Sequence, residues 1–192
     1  MEKESEMSDK LWRTLDSAYV VNSKYLKIRK EKVELPTGDV YNEYYINERL
    51  GWVSIFCVTK ENRVILNRQY KHGIGQYVLE LPAGNLETGV SPLKCAQKEL
   101  LEETGYKARN WEYVGKFILD PTFSEGFMYL YYCDQGEKVV HKTRDPREKI
   151  ETVLVDIEDL IELLRKNNIT VIGHVAGIYT ILDRKNLAIF NR

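Results

Sequence analysis

The sequence predicts an α+β protein: a mixed sheet covered by helices, preceded by a smaller all-β segment. Three observations carry this. Most apolar runs are of strand length and rich in tyrosine, valine and isoleucine, such as "GWVSIFCVT" (51–59) and "FMYLYYC" (127–133). Helical periodicity is confined to three stretches. Residues 11–50 hold only short β-like runs broken by the turn "PTGD".

Taken in order, residues 1–10 are polar and read as a flexible tail. "SAYVV", "KYLKIRKEKVEL" and "NEYYINER" are the strands of an N-terminal β domain spanning 11–50. The basic alternation in "KYLKIRKEK" (24–32) reads as the solvated face of a strand. The remainder, 51–192, forms the second domain. There, 51–59 and 63–70 flank "KEN" as a hairpin, and "QYVLEL" (76–81) is a further strand. After a central helix come strands at 111–119, 127–133 and 150–156. The apolar spacing in 156–168 and 173–185 predicts two more helices.

The central helix is the best marked. Ser91 is a natural N-cap and Pro92 suits the first helical position. Gly105 is a natural stop, because glycine accepts the left-handed conformation. Leu93, Ala96 and Leu100 make one apolar stripe. At its edge cluster Glu99, Glu102 and Glu103, while Lys94 and Lys98 point elsewhere. Like charges so spaced cost about 0.2–0.5 kcal/mol per pair in water, and more where the dielectric is lower. A bound hard cation would relieve that repulsion; a solvated acidic face is the plain alternative. Upstream, "LELPAGNLETGVSP" (79–92) is a glycine loop, where backbone approaches a ligand closely.

Strand, glycine loop and acidic helix together resemble the Nudix hydrolase family. Its box runs G-x5-E-x7-R-E-U-x-E-E-x-G-U, with U an apolar residue. The chain aligns without a gap as Gly84, Val90, Lys98, Glu99, Leu100, Glu102, Glu103, Gly105 and Tyr106. Two positions depart: valine replaces the first glutamate and lysine the arginine. In the family that pair braces loop against helix, so the departures imply that one structural ion pair is lost.

The resemblance implies an α/β/α sandwich and extends outside the box to the ADP-ribose pyrophosphatase branch. It rests there on the N-terminal segment, on "RQYKHGIGQYVLELPAG" before the box, and on Pro121, fifteen residues after Tyr106. The implied activity is Mg2+-dependent hydrolysis (Mn2+ as the substitute) of ADP-ribose to AMP and ribose 5-phosphate. The alternatives are another nucleotide sugar such as GDP-mannose, or a non-catalytic ligand sensor. The intact Glu99, Glu102 and Glu103 argue against a sensor, as does the lack of chain length for an attached DNA-binding region. By the same resemblance Glu99, Glu102, Glu103 and the Ala83 carbonyl would hold the cations. Glu80 would act at the metals or the terminal ribose. Lys71, and less directly Arg68, would contact a phosphate. Trp12 with Tyr44 or Tyr45 would stack the base. The general base would come from the loop "KTRDPREKIE" (142–151): Glu148 first, Glu151 second. Asp145 precedes a proline and reads as a turn former.

Composition narrows the partners. Lys and Arg total 28 against 29 Asp and Glu, a net charge of −1. That argues against nonspecific nucleic-acid binding, which needs a basic excess. Three scattered cysteines and three histidines lack zinc spacing and read as reduced thiols and ordinary side chains of a cytoplasmic protein. No apolar run is long enough to span a membrane. The short strands of 11–50 leave apolar side chains uncovered, so a homodimer through this segment is expected.

Overall fold

Alternating side chains set the layers. In strands β4 (Gly51–Thr59) and β5 (Val64–Lys71), Phe56, Val64 and Leu66 face one side of the sheet, whereas Val53, Ile55, Cys57 and Ile65 face the other. Both faces are apolar because both are covered. The structure, a computed structural model, describes residues 11–139 and 149–187. The chain divides into two compact units: residues 1–49 with 120–126, and residues 50–119 with 127–192.

The first unit is a three-stranded antiparallel sheet in the order β1 (Arg13–Asn22), β2 (Lys27–Glu34), β3 (Val40–Glu48). "PTGD" forms its β2–β3 turn, with Gly38 at φ +90°. β1 is exposed along its whole length. The solvated-strand reading of 24–32 fits the exposed Lys24, Lys27 and Lys32 but is corrected at Arg29. Arg29 lies inward and gathers Glu31 (3.0 Å), Glu48 (2.7 Å) and Glu125 (3.3 Å). Glu31 is buried and also accepts from Thr14 and Ser17. Hydrogen bonds from Tyr19 and then Arg29 hold the Glu48 carboxyl below its ordinary range. β2 is central in this sheet, so its charged residues meet partners from both neighbours. Arg29→Ala is expected to lower stability by about 2 kcal/mol, because a buried carboxylate loses its cation in a site that water partly screens. A urea titration followed by tyrosine fluorescence checks this, and Arg29→Lys should recover part of the loss.

The second unit is a mixed seven-stranded sheet. Its main order is β10 (Ile150–Val155), β5, β4, β9 (Phe127–Lys138), β8 (Tyr106–Ile118). β6 (Gln76–Glu80) pairs with β5, and β7 (Ala83–Asn85) with β4. Only β4 and β9 run parallel among the paired strands described. Helix α1 (Pro92–Thr104) covers one face through Cys95, Ala96 and Leu100. Helices α2 (Ile157–Arg165) and α3 (Ile172–Arg184) cover the other through Leu160, Leu164, Ile178, Ile181 and Leu182. This is the α/β/α sandwich with a mixed sheet, accompanied by a separate small β sheet.

Helix α1 starts and stops as its sequence dictates. The Ser91 side chain accepts the Lys94 N–H, and Gly105 sits at φ +76° with its N–H on the Leu101 carbonyl. Its buried stripe differs in one position. Leu93 is exposed and Cys95 takes its place inside. The stripe therefore passes through Cys95, Ala96, Leu100, Glu103 and Thr104, which draws one glutamate into the protein. Cys57, Cys95 and Cys133 are all free thiols and buried.

Candidate active site

The three box glutamates leave α1 in different environments. Glu102 is exposed, Glu99 half-buried and Glu103 buried. Glu103 Oε2 accepts the Asn67 Nδ2–H (2.8 Å) and the Ala83 N–H (2.9 Å). One carboxylate thus ties helix α1 to strand β5 and to the glycine loop. Glu99 lies directly on Gly84: a Cβ there would fall 2.0 Å from Glu99 Cδ. Glycine is needed at this point for close approach, since its φ is not positive. Gly84→Ala is expected to push the Glu99 carboxylate aside at little cost in stability, because a flexible side-chain end moves more easily than backbone. At least a 10-fold loss of kcat should follow, within the range of about 10- to 100-fold typical when a ligand is disoriented. Steady-state kinetics beside a thermal melt would check it.

The brace between loop and helix is present but relocated, which corrects the expected loss of an ion pair. Lys98 pairs with Glu87 instead of position 90. Val90 packs against the apolar cluster beneath α1. A glutamate at Val90 would bring a charge to that cluster while Lys98 already has its partner.

The acidic side chains on this stretch of α1, Glu99, Glu102 and Glu103, all offer oxygens. Asn67 adds one more, since its Oδ1 is buried with no hydrogen-bond partner. An orphaned oxygen beside a buried carboxylate suits a hard cation. Among the described residues, no three acidic, histidine or cysteine side chains already converge as a closed cage.

The other residues singled out by sequence fall as follows. Glu80 is buried at the end of β6, its Oε1 2.6 Å from Lys71 Nζ. Lys71 also donates to Gln69 (2.6 Å), and its side chain is 42% exposed, open to a ligand. Arg68 is engaged elsewhere: it meets Glu151 at 3.3 Å and lies over the Tyr77 ring at 4.3 Å. Glu151 stands on β10, opposite Arg68 in register. Glu148 lies outside the described residues, as do Asp145 and the tail 1–10. In the first unit, Trp12 stacks on Tyr41 (6.0 Å) and meets Tyr44 edge-on (5.8 Å). Tyr44 donates its hydroxyl to the Thr122 carbonyl, and Tyr45 is exposed.

Two residues had no signal specific enough to single them out. Asn67 is a polar residue on a buried strand position, and His174 a polar residue on the apolar face of α3. His174 Nδ1 accepts the Leu81 N–H (3.2 Å), and its Nε2 faces Glu80 Oε2 at 3.8 Å. Burial, then the nearby Lys71 charge, pushes its pKa down to about 4.

Comparison with known proteins agrees with this geometry. Residues 49–173 match the NUDIX domain, and residues 12–47 match the nucleoside diphosphate sugar hydrolase N-terminal domain. The chain is 28% identical to an ADP-ribose pyrophosphatase of Bacillus subtilis over 82% of its own length and 85% of that protein's. It is 25% identical, with the same coverage, to a methanol dehydrogenase activator of Bacillus methanolicus. A mouse ADP-sugar pyrophosphatase is 46% identical over 55% of this chain and 53% of its own. The fold is that of a crystal structure of an ADP compounds hydrolase, with a TM-score of 0.80 at 19% identity, covering 93% of this chain and 98% of the other. With a complete acidic helix over a glycine loop, and a domain match across most of its length, the chain belongs to the Nudix family and is a Nudix hydrolase.

Proposed function

We propose that the protein is an ADP-ribose or ADP-sugar pyrophosphatase that uses Mg2+, with Mn2+ as a substitute. The observation that carries the reading is the pairing of Glu99 on Gly84 with Glu103 on the Ala83 N–H. Two carboxylates are thereby aimed at one stretch of loop backbone. The relatives support the substrate class by their names, and the N-terminal domain match supports a nucleoside diphosphate sugar. Glu99, Glu102, Glu103 and the Ala83 carbonyl would hold the cation, completed by the substrate's phosphates, because Mg2+ is usually bound by a few carboxylates and substrate oxygens together. A bound cation supplies charge neutralisation of the diphosphate and lowers the pKa of water. Lys71 binds a phosphate as a point charge. A carboxylate, Glu148 or Glu151, accepts the proton of the attacking water. Of the two, Glu151 is held by Arg68 on a strand, which favours Glu148. Water adds across the P–O–P bond, giving AMP and ribose 5-phosphate from ADP-ribose. Trp12, Tyr44 and Tyr45 offer aromatic faces for the base.

The test is a panel of ADP-ribose, other ADP-sugars and GDP-mannose with Mg2+, with Mn2+ and with chelator, products separated by chromatography. Metal-dependent release of AMP is expected. Cleavage of GDP-mannose in preference moves the substrate to another nucleotide sugar. Binding without cleavage of any of them would make the protein a sensor.

The same reading includes a homodimer. The exposed β1, with Trp12, Tyr19, Val20, Tyr41 and Tyr45 uncovered, supports a partner subunit on the three-stranded sheet. Light scattering after gel filtration should give twice the 22.5 kDa of one chain; a mass near one chain at micromolar concentration excludes the dimer.

A further inference from the structure

His174 is brought to β6 by close helix packing. On α3, a Cβ at Gly173 would sit 3.2 Å from Leu119 Cδ2, and one at Gly177 3.2 Å from Leu130 Cδ1. Small residues at these two points let the helix lie tightly on the sheet. His174, 4% exposed, then reaches backbone and side chains far away in sequence. Its Nδ1 accepts the Leu81 N–H at 3.2 Å, and Ser54 Oγ lies 3.4 Å from the same nitrogen. A ring nitrogen that accepts an N–H carries no proton, so the neutral imidazole holds its hydrogen on Nε2. That hydrogen faces Glu80 Oε2 across 3.8 Å, a charge–dipole contact longer than a hydrogen bond. The other oxygen of Glu80 holds Lys71 Nζ at 2.6 Å, and the same ammonium donates to Gln69 Oε1 at 2.6 Å. An ammonium has three protons. Two have these partners, and the half-exposed lysine head can offer the third to a ligand.

We propose that His174 is a positioning residue for diphosphate recognition: through Glu80 it sets the direction in which Lys71 presents its ammonium to the substrate. This rests on the hydrolase reading above. The helix that carries His174 is thus coupled to a phosphate contact although it touches no substrate itself. The backbone arm, Nδ1 to Leu81, is a separate structural task, and the two arms can be divided by substitution. Asparagine at 174 can still accept the Leu81 N–H but has no donor reaching Glu80. Glutamine places an amide N–H near the position of Nε2.

The experiment measures KM and kcat on the preferred nucleoside diphosphate sugar, and the Kd of inorganic pyrophosphate with Mg2+ by calorimetry. His174→Asn is expected to raise KM and the pyrophosphate Kd about 5-fold or more with kcat within about 3-fold, the pattern of lost uniform binding. His174→Gln should keep both constants near those of the parent. In the Lys71→Ala background, His174→Asn should raise neither further, since two residues acting in series are non-additive. Additive effects, or a lower kcat and melting temperature with KM unchanged, would make His174 merely structural and overturn the proposal. Should the parent protein cleave no nucleoside diphosphate sugar, the hydrolase substrate reading fails and the pyrophosphate titrations decide the positioning role alone. A parent that binds no pyrophosphate overturns it.

Discussion

Glu103→Gln is expected to cut kcat by about 10²-fold and to leave the fold intact, because a neutral amide oxygen is a far poorer ligand for a hard cation than a carboxylate. Structure makes this substitution a clean test. Glu103 Oε2 accepts from Asn67 Nδ2 and the Ala83 N–H, and the glutamine oxygen can accept in the same place. The tie between α1, β5 and the loop is therefore kept while the charge is removed. The measurement is kcat at saturating Mg2+ beside a thermal melt. Equal kcat in the variant would take Glu103 out of the cation site. A collapse of the melting temperature together with kcat would show that the charge serves the fold.

The second large effect is on acid stability. His174 has its pKa pushed from 6.5 to about 4 by burial and by the Lys71 charge. In the unfolded chain the ring takes its proton at the ordinary value, so below 6.5 the unfolded state binds more protons than the folded one. The stabilisation from keeping the ring neutral is fully present above pH 6.5 and is lost progressively as pH falls towards 4. A shift of this size corresponds to on the order of 3 kcal/mol. Urea denaturation at intervals from pH 7 to pH 4 should therefore give a steeper loss of stability for the parent than for His174→Asn. Carboxylates remote from position 174 titrate alike in both proteins and cancel in the difference; Glu80, which faces the ring, is controlled by repeating the comparison in a Glu80→Gln background. Parallel curves would mean that His174 is not held neutral in the folded state.

Sequence by itself determined what is local or of fixed spacing. The caps of α1 follow from Ser91, Pro92 and Gly105, whose backbone preferences need no tertiary partner. The α+β class, a mixed sheet with covering helices, follows from apolar runs whose period sets their type; the α/β/α arrangement came from the family resemblance, and the acidic helix over the glycine loop from one continuous stretch of chain. Tertiary structure decided which side chain meets which. Strand register places Asn67 opposite Glu80, and its amide reaches Glu103 on another element. Arg29 reads as one more solvated base until β3 brings Glu48 beside it. A relocated brace uses Glu87, outside the box positions, because Val90 turns inward to apolar contacts. His174 gains its partners from residues more than ninety positions away, on β4, at the end of β6 and just beyond it. The reason is the same in each case. Periodicity states which face of an element is apolar, but a polar group on that face is defined by the one donor or acceptor that packing brings to it, and that depends on register and helix depth, which no single segment encodes.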